Sequence, residues 1–345
     1  MRIVRVALTV ILALCTASAF SAKPPAQAPR GSNSLPATEG RDSPQRMESA
    51  ATVVQQETEA AMPVADKRFV GTDGYLDAVT SWSPSGVPTA GDSWFFDGSS
   101  QYDVVSGLTT FTAVDTQQIW LQSAYQGNVG ADGNGLQVPV GFLIHNGSGS
   151  LYHRFITHGS LATNIFIDSP NLQDAYMLAS GGDANCILAC IRGKSYLLGG
   201  AGPLSCLFVG ATGWGGGTIV DIGASFGNVT YYRQSAGTVT TKSDLGTSSG
   251  SCVIDGGTLV YDATSADPWA KMDITGGYVQ HNGTGTLGLC IVASGVLDMT
   301  QDSRAKTIGV LVLMPGANFL THKNIAVGHL YDYRVSPPIM DGSLP

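Results

Sequence analysis

The chain has 345 residues, 43% of them hydrophobic and only 13% charged, about half the charged share of ordinary soluble domains. Its 44 glycines, set among many Thr, Ser and Val residues, suit short strands joined by tight turns. A formal net charge of −8 and a pI near 5.1 exclude the basic stripe that nucleic-acid binding needs, so no nucleic-acid partner is expected.

In chain order, residues 1–22 read as an export signal peptide. Arg2 and Arg5 supply a positive start, Val6 to Leu14 an apolar stretch too short to span a bilayer, and Ala17-Ser18-Ala19 a cleavage site, with Ser21-Ala22 as a second. Cys15 follows Leu14, where a lipoprotein signal needs a small residue. Residues 23–66 are rich in Pro, Ala, Ser, Gln and Glu without sustained apolar periodicity, and read as a disordered linker or pro-segment. Lys67-Arg68 closes this stretch as a processing site or a solvated dibasic pair. No later segment is long and apolar enough for a transmembrane anchor.

Residues 67–100 read as an N-terminal capping region. Trp82-Ser83-Pro84-Ser85-Gly86-Val87-Pro88-Thr89-Ala90-Gly91-Asp92 is turn chemistry, and Trp94-Phe95-Phe96 begins a strand. Across about 30 residues this stretch resembles the opening of bacterial secreted, autotransporter-associated β-solenoid proteins of the Pectin-lyase-like type, and of some phage structural proteins. The resemblance implies a right-handed parallel β-helix whose open core end is covered by Trp82, Trp94, Phe95 and Phe96. An uncovered end would expose unpaired strand edges.

Residues 101–324 read as an all-β parallel β-solenoid with coils of about 20 residues. Gly217, Gly237, Gly257, Gly277, Gly295 and Gly316 recur at intervals of 20, 20, 20, 18 and 21. Two residues after each stand Ile219, Val239, Leu259, Val279, Leu297 and Asn318, an expected inward stack. Five and three residues before them stand Tyr232 and Gln234, Cys252 and Ile254, Met272 and Ile274, Cys290 and Val292, then Leu311 and Leu313. These alternate with more polar neighbours, as a half-buried strand requires. Each coil therefore reads as strand, Gly corner, strand and variable connection. A β-sandwich is the competing fold, but the period without helical spacing favours stacked coils. Upstream of Gly217 the register is less clear. Residues 325–345 read as a C-terminal cap or tail.

Cys186, Cys190, Cys206, Cys252 and Cys290 follow the signal segment. Cys252 and Cys290 fall on one stacked position two coils apart, about 9.6 Å, beyond the roughly 7 Å reach of a disulfide. They are expected as buried thiols. Cys186 and Cys206 are 20 residues apart, within reach if their coils are adjacent. Buried thiols in an exported chain also fit assembly inside a cell, as in a virion.

A polysaccharide lyase or glycoside hydrolase on this fold needs carboxylates converging on one face. The alignment places Asp255 with Thr275 and Ala293, Asp273 with Val253 and Ile291, Asp262 with Asn282 and Thr300, and Asp221 with Thr241, Tyr261 and His281. No position carries acids in adjacent coils. Asp298, Asp302, Arg304 and Lys306 are the densest charged group, and His145, His153 and His158 the densest histidines. The glycine run Gly213 to Gly217 (with Trp214) lacks a following helix and reads as a turn. No catalytic residue, cofactor or metal is assigned. Thr238-Val239-Thr240-Thr241 and Thr230-Tyr231-Tyr232 suggest a flat polar face for lateral packing, sugar binding or adhesion. The expected function is a non-enzymatic, secreted or cell-surface structural or adhesive protein, with other protein subunits, a second copy of itself or surface glycans as partners. A virion decoration or fibre protein and a glycan-processing enzyme are the alternatives.

Overall fold

Parallel pairing between successive coils builds the molecule. The computed structural model describes residues 67–342, apart from 132–133, 156–162, 170, 172–173, 180–185, 200–203, 211–216, 244, 248 and 263–268. The expected signal and linker segments, His158 and the glycines at 213–216 lie outside the described residues.

The first strands are β1 (Lys67–Phe69), β2 (Trp82–Ser83), β3 (Ser93–Phe96), β4 (Thr116–Leu121), β5 (Val140–His145), β6 (Leu151–Phe155) and β7 (Asn164–Asp168). Next come β8 (Ala175–Ala179), β9 (Ile187–Leu198), β10 (Leu204–Val209), β11 (Thr218–Ile222), β12 (Val229–Gln234), β13 (Thr238–Thr241) and β14 (Ser251–Ile254). The last are β15 (Thr258–Tyr261), β16 (Lys271–Ile274), β17 (Tyr278–His281), β18 (Thr286–Asp298), β19 (Lys306–Leu320), β20 (Ile325–Asp332) and β21 (Ile339–Gly342). Parallel coils about 21 residues apart form a β-solenoid of about 10 turns.

Two ladders run through it. The first joins β3, β4, β5, β7, the start of β9, β10, β12, β14, β16, the starts of β18 and β19, and β20. The second joins β6, β8, the end of β9, β11, β13, β15, β17 and the ends of β18 and β19. One inward row of the first ladder reads Trp94, Ile119, Leu143, Ile165, Leu188, Leu207, Tyr232, Cys252, Met272, Cys290, Leu311 and Leu330. All are buried in a single core. Cys252 and Cys290 thus share a row with Met272 between them, and no disulfide forms among the five described cysteines. Cys206 stands opposite Ile187, one residue out of register with Cys186.

The glycine repeat holds in four coils and slips in two. Gly237, Gly257, Gly277 and Gly295 occupy the corner at φ +81, +78, +75 and +86. Gly193, at φ +90, pairs with Thr218, and Gly295 pairs with Ala317. Gly217 and Gly316 therefore precede the corner by one residue. The slip reverses the side chains that follow: Val220, not Ile219, joins the inward row with Val239, Leu259, Val279, Leu297 and Phe319, while Ile219 is 42% exposed. Asn318 likewise points outward, because its neighbour Phe319 takes the inward place.

The N-terminal end is closed by aromatics. Ring centroids lie 5.7 Å apart for Phe69 and Trp82 and 5.4 Å apart for Trp82 and Trp94. Trp82 Nε1 donates to Leu76 O at 2.7 Å. Phe95 does not join this cap. Strand alternation turns it to the opposite face, into a separate cluster with Trp120, Ile144 and Phe142. Lys67 and Arg68 belong to β1, with Lys67 Nζ donating to Pro84 O and Arg68 pairing with Asp97 at 2.9 Å. At the other end β20 continues the first ladder past residue 324, and β21 folds back antiparallel on it.

A Cβ at Gly257 would run into the Gly237 carbonyl oxygen, whereas one at Gly217 would meet nothing within 4 Å among the described residues. Gly257→Ala is expected to cost about 2 kcal/mol or more, and Gly217→Ala less than about 0.5 kcal/mol. Urea unfolding of the two variants checks this, and equal midpoints would refute the register.

Candidate functional surface

The outer side of the second ladder carries an organised surface. Tyr152, Tyr176 and Tyr196 fall opposite one another in β6, β8 and β9. Their rings stack at 4.6 Å and 4.8 Å with interplanar angles of 4° and 12°. Coil spacing of about 4.8 Å is itself a stacking distance, so parallel pairing places like rings face to face. Lys194 Nζ lies 4.6 Å from the Tyr196 ring centroid and 3.9 Å from Asp174. Arg154 donates to Gln137 Oε1. The tyrosine row continues as Asp221, Thr240, Val260, Gln280, Asp298 and Leu320.

The tyrosine ladder was missed in the sequence. A signal for it exists in Leu151-Tyr152-His153, Ala175-Tyr176-Met177 and Ser195-Tyr196-Leu197, but the intervals are 24 and 20 residues. The segments read as exposed polar face behave differently. Thr238 and Thr240 point outward, while Thr241 and Tyr232 are fully buried.

The charged group at 298–306 divides. Asp298 accepts from Tyr278 Oη at 2.5 Å, Thr300 Oγ1 at 2.6 Å, Thr300 N at 2.8 Å and Gln301 Nε2 at 3.1 Å. Burial raises its pKa, but hydrogen bonds from Thr300, Tyr278 and Gln301 outweigh this and hold it down to about 2. Asp302 pairs with Arg304 at 2.5 Å and with the buried Lys306 at 3.2 Å. Burial pushes it up and those donors pull it further down, so it too lies below the usual carboxylate range. Lys306 Nζ also donates to the carbonyls of Asp302 and Arg304. A general acid needs a carboxyl held protonated. Both of these are held ionised, and they tie the connection to the coil.

Other acids are matched locally. Asp255 receives Arg233 at 2.6 Å and Thr275 Oγ1 at 2.8 Å, and Asp168 pairs with Arg192 at 2.5 Å. Asp273 lies with Val253 and Ile291 as expected. Asp221 sits opposite Thr240 rather than Thr241, for the same one-residue slip at Gly217. Among the described residues no group of three His, Cys, Asp or Glu is placed to hold a metal, and no helix is long and apolar enough to cross a membrane.

Three histidines are core residues. His145 and His153 point inward at 0% exposure, and His281 stacks on Tyr261 at 5.0 Å. His145 Nε2 lies 3.1 Å from Gly149 O, so that nitrogen carries the proton. Neither ring nitrogen of His153 has a hydrogen-bond partner among the described residues. Burial lowers all three pKa values to about 4, with the Lys306 charge adding to the effect at His281. Burial also pushes the Cys190 and Cys290 thiols up to about 12 and raises Cys252 well above its ordinary value.

Compared with known proteins, the chain matches no family model, no curated protein and no solved structure.

The unfolded chain binds protons at these histidines near pH 6.5, before the folded chain does. Stability is therefore present above pH 6.5 and lost as pH falls toward about 4, by about 3 kcal/mol per histidine. Unfolding midpoints from pH 7.5 to 4 should show this, with His153→Leu removing roughly a third of the slope. The cysteines should resist alkylation in the native protein (thiolate being the reactive form) and react together only in denaturant. Mass spectrometry after pulsed alkylation checks it.

Proposed function

We propose that the chain is a non-enzymatic, exported structural or adhesive β-solenoid of a cell surface or extracellular assembly, binding glycan or protein through the outer side of its second ladder. The observation that carries this reading is the stack of Tyr152, Tyr176 and Tyr196, flanked by Lys194. Three aligned aromatic rings offer repeated weak contacts to an extended ligand. The reading is further supported by the sequence of residues 1–22, which reads as an export signal. The resemblance of the Trp82–Phe96 stretch to secreted Pectin-lyase-like solenoids points the same way. The local pairing of Asp255, Asp298 and Asp302 leaves these acids occupied in holding the scaffold.

Buried thiols support a second reading, a virion decoration or fibre protein assembled in a reducing cytosol. Recovery of the protein on purified particles, rather than on cell surfaces, would select it.

A panel of immobilised glycans and intact cells tests the main proposal. Tyr176→Ala, with an unchanged circular-dichroism spectrum, is expected to weaken retention about tenfold. Retention unaffected by this change would remove the tyrosine ladder from the function. Product release from the same glycans, abolished by Asp298→Asn or Asp302→Asn, would overturn the non-enzymatic reading.

A further inference from the structure

The two ends of the solenoid are finished differently. At the N-terminal end β2 lies antiparallel on β1, and Phe69, Trp82 and Trp94 are buried there. At the C-terminal end the first ladder is closed by β21 on β20. In the second ladder, Gly316–Leu320 of β19 pair with Ser294–Asp298 on one side. Among the described residues no strand pairs with their other side, since β20 meets β19 only over Lys306–Leu313. Ala317 and Phe319 are only partly buried against the core, and Met314 and Leu320 are each 38% exposed.

An open edge of this kind is a template for another strand. Leu320 turns its carbonyl toward the end of β18, where the next residue, Met299, donates its N–H at 2.9 Å. Strand alternation then turns the N–H and C=O of Ala317 and Phe319 to the open side. A second copy running antiparallel about a two-fold axis at Asn318 sets Ala317 opposite Phe319 of that copy, and Phe319 opposite its Ala317. Each pair exchanges both N–H···O=C bonds. On the core side a small side chain meets a large one. On the outer side Leu320 meets Gly316, and Asn318 meets Asn318, whose amides both donate and accept.

Charge selects the same segment. The chain carries a formal −8, which opposes contact between copies. Residues 314–321 bear no ionisable side chain. Near this end Asp332 pairs with Arg334 at 2.7 Å, and Asp341 Oδ1 lies 2.5 Å from His329 Nδ1. Head-to-tail growth would need an open edge at the other end, where β2 and the aromatic cap stand. A two-fold contact therefore closes on itself.

We propose that the open edge of β19 is a self-association surface, on which two copies pair tail to tail across a two-fold axis at Asn318. The tyrosine ladder lies in β6, β8 and β9, in other coils, so changes at Asn318 leave it intact.

Sedimentation equilibrium of the full chain tests this. The expected species is a dimer of the 35.8 kDa chain, with nothing larger. Asn318→Asp and Asn318→Lys each set like charges against themselves at the axis and should weaken association about a hundredfold. An equimolar mixture of the two variants should restore the dimer. Circular dichroism of each variant confirms that the outward position tolerates the change. A wild type that stays monomeric, larger oligomers, or variants that dimerise as well as wild type would overturn the proposal.

Discussion

Hydrogen bonds between coils hold successive turns about 4.8 Å apart, and that spacing decides what each side chain meets. A residue touches its equivalent one coil above and one below. Like therefore stacks on like where the chain repeats, as Tyr152, Tyr176 and Tyr196 do. The same spacing separates Cys252 from Cys290 by Met272, so the two thiols act as core packing. It also makes register unforgiving: a slip of one residue at the corner turns Ile219 out and Val220 in.

A narrow core tolerates polar groups only when they are neutral or fully engaged. The histidines take the first route, held neutral by burial at His145, His153 and His281. Lys306 takes the second, with its ammonium group against Asp302 and two backbone carbonyls. The outward acids Asp255, Asp298 and Asp302 are bound by neighbours one coil away or in the next turn. This network locks connections to coils, which a scaffold built from short strands requires.

Each end of such a stack must be finished separately, because neither has a neighbouring coil. The N-terminal cap spends large aromatics on this, including Trp82 and Trp94. The C-terminal end covers one ladder with β21 and leaves the other ending on Ala317, Asn318, Phe319 and Leu320, which carry no charge. The asymmetry gives the molecule one closed end and one edge able to continue a sheet.

The solenoid, its coil length over residues 229–313 and the thiol-bearing inward row were legible in the sequence. There one strand face is apolar and the other more polar, so alternation reveals the register. Trp82 and Trp94 as cap residues were legible too, from aromatics flanking a turn-rich run. Upstream, strands such as Phe142-Leu143-Ile144 and Ile165-Phe166-Ile167 are apolar at successive positions. Alternation then vanishes, and Phe95 was assigned to the wrong face. Coil lengths there also vary, from 25 residues between Trp94 and Ile119 to 19 between Leu188 and Leu207. Only backbone pairing could bring Tyr152, Tyr176 and Tyr196 into line, set Thr218 and Ala317 at corners in place of glycine, and leave Gly316–Leu320 without a second partner strand among the described residues. Composition and periodicity determine that a chain coils. Which residues become neighbours is decided by the hydrogen-bond register, because irregular connections erase the count along the sequence.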